Sequence, residues 1–421
     1  LVDQLLDRAG VGRIVWSRRL AGADQERCEQ RQRVTGHRGT PGERCRETNR
    51  SAGRSAWIFA SCPSALDQRR TELRGGIDHL GPFESLRLKL ANTQYTHTEF
   101  EGDAVGTVFD SDTLEGRLEL VHAPVAGWRG AFGGQWSDRD FAAVGDEAFV
   151  PGSRTREAGV FWIGERPLPE TAHGRFKLEA GARLDQARIA VADSAGVPDR
   201  SFDLASASAA LHWEASEAFH ATLGLDRAQR APTPEALYSD GAHVATGSFE
   251  LGDASLDVET ATRAELGLHW HGERLRLDGA LYHVRFDDFL YLRDTGAEHD
   301  HLPVRQWAQA DARFNGIEAT AAFDVADNAT GTWTARLLGD RVHAEFADGG
   351  HLPRIAPARL GAGVDWARGP WRASLDATRT FRQDEVAAGE TPTPVSRILS
   401  IGLSAMPQPF PRRGLPTPPP P

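Results

Sequence analysis

Three stretches of this 421-residue chain carry side chains able to bind a cation. The first reads Tyr95-Thr96-His97-Thr98-Glu99-Phe100-Glu101. Alternate residues of a strand share a face, so Tyr95, His97, Glu99 and Glu101 stand together. An imidazole beside two carboxylates is a donor set that suits zinc. The plain alternative is a solvated, charge-lined strand end. The second candidate is His243, on a long connection, where a loop packing role is the alternative. The third, Glu298-His299-Asp300-His301, sets four metal-capable side chains in a row, His299 and His301 foremost. Such a tract could capture a metal, and a charged loop tip is the commoner use of it. Catalysis has little support. Asp287 and Asp288 are adjacent rather than paired across a cleft. No Gly-rich loop follows a strand and opens a helix, and no Ser, His and Asp set has recognisable context. The expectation is a non-enzyme that requires no cofactor.

The elements that position these groups are strands. From Arg175 the chain places Phe176, Leu178, Ala180, Ala182 and Leu184 on one face, with Arg175, Lys177, Glu179, Arg183 and Asp185 on the other. Period-two alternation over about ten residues is the length a tilted strand needs to cross a bilayer. Apolar faces recur at Leu86, Leu88, Leu90; Leu266, Leu268, Trp270; and Leu360, Ala362, Val364, Trp366. About 15 strands fit between residues 65 and 406 on this pattern. Connections are short near 123–127, 214–218, 271–273 and 367–370, and long over roughly 226–260, 287–312 and 380–396. Trp213, Trp270 and Trp366 end strands before short turns, while Trp128, Phe219 and Trp371 begin strands after them. Short turns on one side, long loops on the other and aromatic girdles describe an antiparallel transmembrane β-barrel. The apolar set changes parity between Leu277 and Tyr282, which predicts a bulge there. With Leu86, Leu88 and Leu90 facing lipid, the His97 stretch faces the lumen near the outer rim, and His212, His220, His269 and His271 face inward toward water.

Composition agrees. A mean hydropathy of -0.43 and 25% charged residues exclude a bundle of membrane helices, but not a barrel with a polar interior. The net charge of -11 argues against nucleic acid. Cys28, Cys45 and Cys62 all fall within the first 62 residues, so the remainder is free of stray disulfides in an oxidising periplasm. Residues 1–63 form an Arg-rich, aperiodic segment expected to be disordered. Residues 64–406 form the barrel, and 407–421 a Pro-rich tail that suits neither helix nor central strand.

The connection after Leu225 reads Arg227-Ala228-Gln229-Arg230-Ala231-Pro232-Thr233-Pro234-Glu235-Ala236-Leu237-Tyr238, followed by Gly241-Ala242-His243-Val244-Ala245-Thr246, Phe249-Glu250-Leu251-Gly252-Asp253, Val258-Glu259-Thr260 and Ala264-Glu265-Leu266-Gly267-Leu268. It resembles the barrel of TonB-dependent receptors, in which an "R-A-P…E-L-Y" stretch, a "G…L…E-T" stretch and an "E-L-G" strand follow one another. The resemblance covers about 65–405. The "G-x-H-x-A-T" stretch and Gln309-Ala310-Asp311-Ala312-Arg313-Phe314-Asn315-Gly316-Ile317-Glu318 are most similar to the zinc-uptake subgroup. The resemblance implies the outer membrane of a Gram-negative cell, contact with its lipid, insertion by the barrel assembly machinery, and coupling to the TonB energy-transducing complex. It also implies zinc or a metal chelate as the transported ligand. A siderophore receptor barrel, or a passive porin or adhesin barrel, is the alternative. Family members carry a plug and 22 strands, so about 15 strands without a recognisable plug predict a partial barrel that does not transport by itself, and unpaired edges that make it aggregate alone.

Overall fold

A lipid bilayer offers no hydrogen bonds to a strand, so each strand in it must find partners on both sides. The computed structural model shows how the strands of this chain pair. It describes residues 64–101, 104–145, 148–192, 195–243 and 246–405, with the backbone alone of 15–20, Ser64 and Glu101. Cys28, Cys45 and Cys62, most of the Arg-rich segment and the tail 407–421 lie outside the described residues.

The first half of the wall is an antiparallel run of neighbours. It comprises β2 (Ser64–Leu80), β3 (Phe83–Glu101), β4 (Ala104–Val125), β5 (Trp128–Gly145), β6 (Ser153–Pro167), β7 (Arg175–Val191), β8 (Arg200–Glu214) and β9 (Phe219–Arg230). A short strand, β1 (Val15–Leu20), pairs antiparallel with β2. After β9 the chain leaves the wall for α1 (Pro234–Tyr238) and the hairpin β10 (Asp240–His243) and β11 (Ser248–Leu251). It returns as β12 (Glu259–His271), which pairs with β9. The second half then continues antiparallel through β13 (Leu275–His299), β14 (Leu302–Asn328), β15 (Gly331–Phe346), β16 (Arg359–Arg368), β17 (Trp371–Thr380) and β18 (Ser396–Ala405). The wall thus has the expected count, and among the described residues the sheet does not close on itself. No described helix is long and apolar enough to cross a membrane.

The two faces follow the predicted alternation. Leu184, Leu223, Leu281, Ile317 and Leu375 are each 47–62% exposed on the outside, a cost in water and a gain in lipid. Inward, Arg117 and Arg183 lie over the Phe161 ring at 4.4 and 5.8 Å, with Arg117 bonded to Glu119 and Arg183 to Asp185. Slipping one strand by a residue would exchange these sets, and each arginine brought to the bilayer centre costs about 2–4 kcal/mol. Register is therefore firmly held. The aromatic girdle is also present. Phe176, Trp213, Phe219 and Trp270 touch in sequence around the periplasmic rim with centroids 6.0–6.3 Å apart.

Two sequence-based expectations need correction. The register of β13 runs unbroken from Leu275 to Phe286 against both neighbours. Tyr282 simply faces inward, where its ring lies over Gly316 directly across in β14, and a Cβ on Gly316 would collide with that ring. The irregularity falls later, between Phe286 and Phe289, where Asp288 takes φ 59°. Residues 287–312 are also no loop. β13 and β14 extend for 25 and 27 residues, well beyond the bilayer, and meet at a two-residue turn of Asp300 and His301 with φ 49° and 66°. Once clear of lipid, paired strands need no apolar face, so alternation could not reveal them.

The Tyr282 and Gly316 pair supplies a test. Gly316→Ala should lower the unfolding midpoint of the detergent-solubilised protein. In Tyr282→Ala, which opens the space, the same substitution should be nearly neutral. Equal losses in both backgrounds, by thermal melts, would contradict the stacking.

Candidate functional site

The candidate site is the outer mouth of the lumen, built by the β9–β12 connection. Thr233 caps α1 by accepting the Ala236 N–H at 3.3 Å, and Pro234 opens the helix where no donor is needed. The short helix turns Ala236, Leu237 and Tyr238 into the lumen. They are buried with Ile189 of β7, Phe202 of β8, Leu256 and Leu290 of β13. Tyr238 donates its hydroxyl proton to the Pro198 carbonyl at 2.8 Å, and burial pushes its pKa up. Arg200 donates to the Leu256 carbonyl at 2.8 Å. Polar side chains then fasten the connection to the wall. Glu259, buried, receives Arg230 at 3.0 Å and the Leu290 N–H at 2.7 Å. Gln309 bridges the Asp257 and Asp288 backbones at 2.8–3.1 Å.

Above α1, the β10–β11 hairpin presents His243. Its Nδ1–H donates to Glu250 at 2.9 Å, and its ring stacks on Phe149 at 4.3 Å and 16°. Thr246 and Ser248 donate to the same carboxylate oxygen at 2.8 and 3.3 Å. Glu250 is only 3% exposed. Burial alone would raise its pKa, yet the hydrogen bonds from His243, Thr246 and Ser248 outweigh that and hold it below the ordinary range. β11 pairs in parallel with β14, which seats the hairpin on the wall.

The other candidates are dispersed. His97 and Glu99 share the inward face of β3, with Nε2 to Oε1 at 3.9 Å, and the His97 ring lies 5.8 Å from Phe109 and 6.3 Å from Tyr95. The Glu101 side chain is outside the described residues. His299, on the β13 tip, has its ring 4.4 Å from Phe249, while His301 occupies the turn and is exposed. Phe249 and Glu250 are successive residues of β11, so His299 and His243 meet opposite faces of that strand. Among the described residues no three His, Cys, Asp or Glu side chains converge to hold a metal. Farther down, His212 lies 3.1 Å from Glu179 and His269 bonds Asp278 at 2.8 Å, both inward. Sequence reasoning singled out His243 but not its partners Phe149 and Glu250. Only the Ser248, Glu250 alternation within β11 hinted at a polar face there.

A family model described as "TonB dependent receptor-like, beta-barrel" matches residues 32–404. The chain belongs to this family. Its members are Gram-negative outer-membrane receptors rather than enzymes. Solved structures share the fold. "Copper transporter OprC" is 17% identical with a TM-score of 0.68, over 80% of this chain and 56% of that one. The FrpB iron transporter from Neisseria meningitidis is 13% identical with a TM-score of 0.62, over 82% and 57%. The alcaligin outer-membrane receptor FauA from Bordetella pertussis is 14% identical with a TM-score of 0.53, over 80% and 56%. The chain thus spans a little over half the length of these proteins. In this TonB-dependent receptor barrel, the aperiodic "R-A-P" and "G-x-H-x-A-T" stretches turn out to be the segment folded into the mouth.

Glu250 makes the mouth sensitive to acid. A carboxylate whose folded pKa is depressed stabilises the fold above its unfolded value, about 4.3, and loses that contribution as pH falls through the folded value. Hydrogen exchange over 240–243 and 246–251, corrected for intrinsic rates, should stay slow down to about pH 4.5 and quicken below it. Glu250→Gln should already be faster at neutral pH and show little further acid dependence. A wild-type hairpin equally protected at pH 3 would refute the role given to Glu250.

Proposed function

We propose that this barrel forms the wall and mouth of a receptor that takes up a metal-containing ligand across the outer membrane, coupled to the TonB energy-transducing complex. The observation that carries the reading is the β9–β12 connection, folded back into the lumen mouth so that His243 and Glu250 stand where an external ligand would arrive. A receptor needs such a constriction, because an open lumen would pass solutes without selection. Metal cargoes named for OprC and FrpB agree with this reading. Insertion by the barrel assembly machinery and contact with outer-membrane lipid belong to the same proposal.

Zinc is the ion that the imidazole and carboxylate sets suit best. His97 with Glu99 lines the inner wall, and His243 with Glu250 stands at the rim. Glu101, His299 and His301 could serve as outer donors on the way in. Binding would then proceed by stepwise capture, with loop movement bringing donors from separate elements onto one ion. A second reading, a metal chelate such as a siderophore, is supported by the aromatic wall opposite. Phe286, Phe289, Phe314, Tyr291 and Phe346 touch one another with centroids 4.8–6.4 Å apart on the mouth side of β13–β15. Flat aromatic faces suit a chelate's organic shell better than a bare ion.

Zinc titration of the purified protein separates the two. For the ion, His97→Ala and His243→Ala should each weaken zinc binding by about tenfold, the loss of one ligand's worth. Unchanged zinc affinity in both variants would reject these ligands. Weakened chelate binding in Phe289→Ala, with zinc affinity untouched, would establish the chelate instead.

A further inference from the structure

Two like-charge pairs of opposite sign stand on the outer face of the wall. On β4 and β5, Asp112 lies directly across the ladder from Asp140, on the face that carries Leu114 and Trp136. On β13 and β14, Arg285 lies directly across from Arg313, on the face that carries Leu281 and Ile317. All four charged residues are exposed. Side chains so placed begin about 5 Å apart, and like charges at that spacing weaken a sheet unless a counter-charge lies against them. Each of these strands is paired on both sides, so neither pair marks an edge of the sheet.

Neighbours within the chain leave both pairs with charge to spare. Arg154 stands across the ladder from Asp140, but its guanidinium turns to Asp138 at 2.7 Å, which Arg156 also holds at 3.3 Å. Asp112 and Asp140 make no ion pair or side-chain hydrogen bond among the described residues. Arg285 reaches Asp287 at 2.9 Å, whereas Arg313 makes no ion pair. Glu345 stands across from Arg313, but its carboxylate lies 3.8 Å from His343 instead.

The two pairs also stand at one height. Asp140 is 12 residues past the start of β5 and Asp112 is 13 before the end of β4. Arg285 is 10 past the start of β13 and Arg313 is 15 before the end of β14. Those four strand ends meet short periplasmic turns, so each pair averages 12.5 residues above that rim. Nearer the rim the two faces differ in relief. Phe132 and Trp136 project from β5, 52% and 40% exposed. On the other face Gly279, Ala319 and Gly339 leave a shallow depression of about 600 Å³, bordered by Leu277 and Leu337.

An anionic headgroup would suit the arginines and be repelled by the aspartates, whereas a second copy of this chain suits both. A membrane holds every copy upright with the same end outward, so residues of equal height meet. A two-fold contact through β4–β5 would set aspartates against aspartates, but a head-to-tail contact sets them against arginines. We propose that copies of this barrel associate side by side, with β4–β5 of one against β13–β14 of the next. Asp112 and Asp140 accept hydrogen bonds from Arg285 and Arg313 of the neighbouring copy, and Phe132 and Trp136 seat in its depression. Apolar surface gains little by leaving lipid for protein, so the charges choose the partner and fix the height while the rings supply the packing.

The test is a charge swap in the whole chain. Cys28, Cys45 and Cys62 are replaced by serine, Asp300→Cys on the exposed β13–β14 turn carries a donor or an acceptor dye, and the protein is placed in liposomes at low density. Energy transfer between copies should exceed the level of random mixing and fall as salt rises. Asp112→Arg/Asp140→Arg and Arg285→Asp/Arg313→Asp should each weaken self-association by at least tenfold. Mixing the two variants should restore transfer, because one then offers only arginines and the other only aspartates, and this recovery shows that both fold. Transfer no higher than random mixing in the unswapped protein, undiminished self-association in either swapped variant, or no recovery in the mixture would each overturn the proposal.

Discussion

Backbone hydrogen bonding in a medium without water is the constraint from which the rest of this structure follows. Lipid forces each strand to satisfy its donors and acceptors against neighbours, so strands line up antiparallel through β2–β9 and β12–β18. Pairing then leaves only side chains to distinguish outside from inside, and period-two alternation is the outcome. Leucines meet lipid while arginine, glutamate and tyrosine fill the lumen. Where the strands rise clear of the bilayer the constraint relaxes. There β13 and β14 carry charged residues on both faces, and the β9–β12 connection can leave the wall and fold inward.

That boundary also separates what was legible in the sequence from what was not. Phe176 to Leu184 alternates because both of its environments are strict, and the strand lies as read. Trp213 and Trp270 could be placed because a girdle ties aromatic residues to strand ends. Tyr282 misled because its aromatic ring suggested the lipid face, whereas a ring needs space inward that only a cross-strand glycine supplies, and Gly316 is visible in sequence only as a strand-weakening residue. The β13–β14 extension was illegible because water on both faces imposes no pattern. The mouth was half legible. Family-like residues marked the segment, but the burial of Leu237 against Ile189 and Phe202 is a tertiary event with no local signature, and Glu250 looked like any strand carboxylate until three donors were found around it.

The mouth and the outer rim hold charge in two different ways. Inside, polar groups are already satisfied by one another, as with His243 and Glu250, so any ligand reaching them would have to compete with existing hydrogen bonds. Outside, Arg285 holds Asp287, while Arg227, Arg313 and Arg341 make no ion pair among the described residues. Both depend on the same wall, because residues one apart on a strand are delivered to opposite compartments.

Labelling of single cysteines across β7 probes that delivery most directly. With Cys28, Cys45 and Cys62 replaced by serine, cysteines are introduced one at a time from Phe176 to Asp185 and the protein is placed in liposomes. A bilayer-soluble maleimide should react at 176, 178, 180, 182 and 184, and a membrane-impermeant one, with access to both sides, at 177, 179, 181, 183 and 185. Uniform labelling by the impermeant reagent, or a pattern without period two, would contradict a membrane-spanning barrel strand.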